Sequence, residues 1–189
     1  MSNLPDVDID VADRTKLLKL FSRWTNARLE DNSKHNTGVY FTDIPYDALA
    51  DCATLDHKTA ERLGYFKLDI LNVSVYQLVE NHAHMQQMLD KEPPWQKLWT
   101  DAEYTKQIIH IGSYYDLLKQ MKPDSVERMA MFLAVIRPSK RHLVGKDWKI
   151  VAEDIWNKPA DGEYYFKKSH SVGYAHLVKL HMNLLDSFD

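Results

Sequence analysis

The sequence holds one cysteine, Cys52, so no disulfide can close within the chain and nothing in it calls for an oxidising compartment. Glycine and proline are scarce, at 6 and 7 of 189 residues, which argues against long disordered or low-complexity stretches. No run of 18 apolar residues occurs, and the first residues are polar and acidic; the expectation is a soluble cytoplasmic protein with no signal peptide and no membrane partner. There is no excess of one charge either. The net charge of −3 does not advertise nucleic-acid binding, although a local basic channel is compatible with an acidic catalytic face. What is present is a hydrophobic content of 44%, enough for one domain with its own core or for a domain plus a small helical annex.

Period-two alternation marks Leu4 to Val11 (LPDVDIDV) as a strand, and Tyr65 to Leu71 (YFKLDIL) as another. Between them the pattern predicts a helix from about Arg14 to Arg28, a turn over Asp31 to Gly38, a short strand at Val39 to Thr42 and a helical piece from Tyr46 to Asp51. A long helix is expected from Val73 to Lys91, stopped by Pro93 and Pro94. Helical spacing continues over Asp101 to Ile109, Tyr114 to Met121, Ser125 to Val135, Asp147 to Trp156 and Ser169 to Leu185. Strands gather in the first 75 residues and helices fill the rest, so the expected class is α+β: a small sheet in 1–91 and a helical region in 92–189, together one compact unit.

Asp6, Asp8 and Asp10 stand two apart and therefore share one face of their strand, with Val7, Ile9 and Val11 turned to a core. Like charges side by side in a strand repel, and Asp is disfavoured in strands, so this spacing is unusual for a merely solvated face. In the second strand, Lys67 and Asp69 share a face opposite Phe66, Leu68 and Ile70. If the strands are neighbours, Asp8, Asp10 and Asp69 converge into a set of hard oxygen donors of the kind that suits Mg²⁺.

Five segments, in order, resemble the C family of bacterial replicative DNA polymerases, the DNA polymerase III alpha type. LPDVDID at Leu4 to Asp10 is similar to that family's PDxDxD strand, and KHNTGVYF at Lys34 to Phe41 to its KHAGGVVI segment. GYFKLDIL at Gly64 to Leu71 resembles the strand with its third aspartate. KPDSVERMAMFLAVIRP at Lys122 to Pro138 resembles a helix ending in its Arg-Pro turn, and YYFKKSHSVGYA at Tyr164 to Ala175 its GFNKSHSxAYA motif. The resemblance implies a palm of the polymerase beta-like nucleotidyltransferase type. Asp8, Asp10 and Asp69 would hold two Mg²⁺ (or Mn²⁺) ions for transfer from a dNTP onto a DNA primer-template. His35, Lys67, Arg137, Lys168, Ser169 and His170 would lie near DNA or the nucleotide.

The chain also departs from that pattern. The family's Gly-Ser-rich triphosphate cradle precedes its aspartate strand, whereas only Met1, Ser2 and Asn3 precede Leu4 here; the expectation is that a second polypeptide supplies it. Only residues 139–163 separate the Arg-Pro turn from Tyr164, leaving no room for the family's fingers insertion. Lys167 replaces the motif's Asn, and Ser139-Lys140 its Gly-Pro. A stripped palm of this kind would suit a virus or mobile element acting in a bacterial cytoplasm. The rival expectation is a DNA-binding or replisome-associated protein without catalysis.

Other residues are read as structural or surface groups. His82 and His84, two apart on a helix, do not share a face and form no zinc pattern. Trp95, Trp99, Trp148 and Trp156 are expected to pack rather than to stack on bases, and Cys52 to fill core space. The Lys140-Arg141-His142 cluster with Lys146, and Lys167-Lys168, are read equally as phosphate-tracking groups or as solvated basic faces.

Overall fold

The computed structural model describes residues 7–158 and 165–188. Leu4 to Asp6 of the first predicted strand and Tyr164 of the last motif segment lie outside them. The chain divides into two compact units, Met1–Leu78 and Val79–Asp189. The class is α+β with a small mixed sheet, as the distribution of strand and helix patterns predicted. No helix among the described residues is long and apolar enough to cross a membrane.

The first unit is built on a four-stranded sheet of β1 (Val7–Val11), β2 (Thr25–Arg28), β3 (Lys34–Tyr40) and β6 (Leu68–Asn72), in the order β1-β6-β3-β2. β1 runs parallel to β6, while β3 is antiparallel to both β6 and β2. A two-stranded ladder joins β4 (Tyr46–Asp47) to β5 (Cys52–Ala53). One face of the main sheet is covered by α1 (Arg14–Leu18): Leu18 packs with Val39 and Ile70, flanked by Val11, Leu17, Trp24 and Leu68. The other face is covered over β2 and β3, where Ala27 and Tyr40 pack with Ala53 of β5 and Ala60 of α2 (His57–Arg62). Successive strand residues alternate between these faces.

Several local expectations are corrected here. The predicted helix Arg14 to Arg28 stops at Leu18, and Thr25–Arg28 is a strand. The predicted turn at Asp31 to Gly38 is mostly β3, a strand that lies between β2 and β6 and pairs with both. The helical piece at Tyr46 to Asp51 is instead the β4–β5 turn. There Asp47 accepts the Leu49 and Ala50 amides and pairs with Arg28 at 2.7 Å. Ile9, expected in the core, is 38% exposed because β1 is the sheet edge and the short α1 does not reach over its middle. The single helix predicted from Val73 to Lys91 is a 3-10 turn (Ser74–Leu78) and a separate α3 (His82–Asp90). Asn81 causes the break: extended, with φ −163°, it accepts the His84 amide and caps α3.

The second unit is helical. α4 (Lys97–Thr100), α5 (Ala102–Gln107) and α6 (Tyr115–Met121) lead to α7 (Val126–Val135), and α8 (Trp148–Asp154) to α9 (Lys168–Leu185). α7 is the core helix: Ser125 caps it, and every residue from Met129 to Val135 is buried. Each large side chain so buried contributes about 1.5–3 kcal/mol relative to exposure. α9 crosses α7, tied by the Ser171 hydroxyl, which donates to the Ala130 carbonyl at 2.5 Å. It is tied to α3 by the buried Asn183, whose amide donates to the Met88 and Lys91 carbonyls at 2.7 and 2.8 Å. The tryptophans do pack: Trp95 is buried, and Trp99, Trp148 and Trp156 lie against the same core. Cys52 is fully buried.

Candidate carboxylate site

In the parallel β1–β6 ladder Asp8 is the direct partner of Asp69, and Asp10 the partner of Leu71. Directly opposed residues of neighbouring strands share a face, about 4.8 Å apart along the hydrogen-bond direction. Asp8, Asp10 and Asp69 thus stand on the face away from α1, at the edge that α2 leaves uncovered. The Asp10 carboxyl is pushed above the ordinary carboxylate range, first by burial against the sheet and then by the charge of Asp8. Both effects disfavour the charged form of Asp10.

Asp69 is supported differently. Its Oδ1 accepts from the Thr37 hydroxyl at 2.8 Å, and its Oδ2 accepts from the Lys67 ammonium, two residues back on the same face. Burial works to raise the Asp69 pKa, but the hydrogen bonds from Lys67 and Thr37, with the charge of Lys67, hold it below the usual range. The lysine stem lies across β3 at Gly38, which is the register partner of Asp69 on that side. A Cβ on Gly38 would stand 2.8 Å from Lys67 Cδ, 3.1 Å from Ala27 Cβ and 3.2 Å from His35 Cγ, so a bare backbone there leaves room for the lysine stem and for the imidazole.

Thr37 reaches Asp69 because β3 is irregular. Its register with β2 shifts between Asn26 and Arg28, leaving extra β3 residues opposite. His35 fastens that irregularity: its Nδ1 accepts the Thr37 and Gly38 amides at 3.2 and 2.9 Å. A nitrogen accepting two amides carries no proton, so the 3.9 Å approach of Nδ1 to Asp69 Oδ1 is not an ion pair. Burial, reinforced by Lys67, holds the imidazole below its ordinary pKa, against the opposing pull of Asp69. Its ring meets His57 edge-on at 5.8 Å. Tyr40, also on this face, is buried with no hydrogen-bond partner for its hydroxyl, and burial raises it to about 12.

The donor chemistry and strand register suit a hard divalent cation. Yet among the described residues no three His, Cys, Asp or Glu side chains stand together in a metal-holding cluster. Thr37 and Lys67 engage both Asp69 oxygens, and Thr37 does so from β3, the side away from β1. Thr37 and Gly38 escaped the sequence reading because their segment looked like a polar turn.

The remaining predicted site residues lie in the second unit. Arg137, just after α7, has its guanidinium 4.7 Å from the Phe166 ring centroid, and its Nε is buried without an acceptor. His170 meets the same ring at 6.5 Å. Lys168 stands 5.9 Å over Trp156, and Ser169 is exposed on the first turn of α9. In the basic cluster after Pro138, Lys140 is 4% exposed, and it and His142 both hold the Asp154 carboxylate, at 3.2 and 2.9 Å. Of the three, only Arg141 is left facing solvent without such a tie. Compared with known proteins, the sequence matches no family model and no curated protein.

Proposed function

We propose that this chain performs, or derives from a protein that performed, DNA-directed nucleotidyl transfer at Asp8, Asp10 and Asp69. The observation that carries the reading is the in-register pairing of Asp8 with Asp69, with Asp10 one step along the same face. The five-segment resemblance to C-family polymerases supports it independently of the geometry. When bound, two Mg²⁺ ions supply activation of a primer hydroxyl and neutralisation of a leaving pyrophosphate. The protein's own contribution is positional: Asp8 and Asp10 present oxygen donors from one edge strand, and Thr37 fixes one oxygen of Asp69. Arg137, Lys168, Ser169 and His170 are proposed DNA or nucleotide contacts. A partner polypeptide is proposed to supply the triphosphate cradle.

Primer extension with Mg²⁺ and all four dNTPs tests the reading, run on the chain alone and with the product of its neighbouring gene. The expected result is extension that Asp8→Asn abolishes. A second reading, a DNA-binding or replisome-associated protein without turnover, is favoured by one observation: Asp69 already has an internal counter-ion in Lys67. DNA binding with no extension under either condition would select it.

A further inference from the structure

Lys67 and Asp69 are 20% and 13% exposed, so their ion pair is partly shielded from water. The pair is also built for, because Gly38 keeps open the lane in which the lysine stem lies. A lysine only two residues from its partner on a strand would otherwise extend outward with its stem over whatever side chain stood on β3. While the ammonium sits on Oδ2 and Thr37 on Oδ1, Asp69 is not available to the two carboxylates of β1. Asp8 meanwhile stands directly opposite Asp69 in the ladder, with Asp10 two residues along on the same face. The positive charge is therefore placed on one carboxylate of a set that a cation would bridge.

We propose that Lys67 is a built-in surrogate cation, and that a divalent ion enters the site by displacing its ammonium from Asp69. This rests on the reading of Asp8, Asp10 and Asp69 as a cation site. Departure of the ammonium releases Oδ2 to turn toward β1, while the Thr37 bond keeps Oδ1 in place. Thr37 is then the hinge point about which the carboxylate changes partner, and Lys67 sets how much cation is needed to load the site. A lysine seated nine-tenths of the time weakens apparent cation affinity by about tenfold, since only the open fraction binds.

The test is Mn²⁺ binding to the full chain, followed by the electron paramagnetic resonance of free Mn²⁺, with circular dichroism to establish folding. Lys67→Met is expected to bind Mn²⁺ about tenfold more tightly than the wild type. Gly38→Ala supplies the second route, because it keeps the lysine and its charge but puts a methyl in its lane; it too is expected to tighten binding. Asp69→Asn and Asp8→Asn are expected to lose binding. If the two aspartate variants lose binding while Lys67→Met and Gly38→Ala bind no more tightly than wild type, the displacement idea is wrong and the cation site stands. If the aspartate variants bind as wild type does, the site itself is wrong and the inference falls with it.

Discussion

Asp8 and Asp69 are direct partners across two parallel strands, and the carboxylate that feels the charge of Asp8 is that of Asp10, two residues along the same strand. Asp69 is held by an ammonium and a hydroxyl, whereas the β1 pair of Asp8 and Asp10 carries mutual repulsion.

Asp10→Asn should stabilise the metal-free protein. Relief of a like-charge pair on one strand face contributes about 0.2–1 kcal/mol. The sign with pH follows from the raised Asp10 pKa: its ionisation penalises the folded state at neutral pH, and the penalty fades as pH falls through the raised value towards the ordinary carboxylate range. Thermal melts of wild type and variant should therefore differ at pH 7 and converge in acid. A variant less stable than wild type at pH 7 would contradict the repulsion.

Asp69→Asn should act the other way. It leaves the partly buried Lys67 ammonium without its carboxylate, a loss of about 1–3 kcal/mol. Because the folded Asp69 pKa is depressed, its stabilisation is present above the ordinary carboxylate range and is lost as pH falls through the depressed value. Urea unfolding at pH 7 should show a lower midpoint for the variant, and an unchanged midpoint would refute the support assigned to Asp69.

His35→Ala should loosen β3, since the Thr37 and Gly38 amides lose their acceptor. The expected cost is about 1–3 kcal/mol if those amides stay dry. Hydrogen exchange should speed up at Thr37 and Gly38 first, ahead of the β1–β6 ladder. Equal protection in both proteins would remove the role given to the imidazole.

In the second unit, Lys140→Met and Arg141→Ala should separate structure from binding. Lys140 is buried on Asp154 and its loss should lower stability, while Arg141 is exposed and its loss should leave the melt unchanged. Any contribution of this cluster to DNA affinity should then weaken with Arg141→Ala, as read by a salt-dependent fluorescence titration. Asn183→Ala should destabilise more than either, because the Met88 carbonyl, buried, and the Lys91 carbonyl, part-buried, lose their donor.

The parts of this fold that were legible are those where one signal dominates. Period-two alternation marked the strands around Asp8 and Asp69, a capped apolar run marked α7, and helical spacing marked α9. The parts that were missed are polar strands whose order comes from their neighbours. β2 reads Thr-Asn-Ala-Arg and β3 opens Lys-His-Asn-Thr-Gly, with no apolar alternation to announce either. Both exist because β6 and the hairpin supply pairing partners, which is tertiary information. The α2 helix did carry a local signal, Asp56, which accepts the Lys58 and Thr59 amides, but its short polar run hid it. For the site, spacing placed the aspartates on one face, whereas the roles of Thr37 and Gly38 depend on a register shift that no spacing rule contains.

The most direct test of the central claim is a crystal structure grown with Mn²⁺, with anomalous diffraction recorded to locate the ion. The account predicts an anomalous peak between Asp8 and Asp69, within coordination distance of both carboxylates, with the Lys67 ammonium moved off Asp69. A crystal holding Mn²⁺ elsewhere, or none, with Lys67 still seated on Asp69 at saturating Mn²⁺, would contradict it.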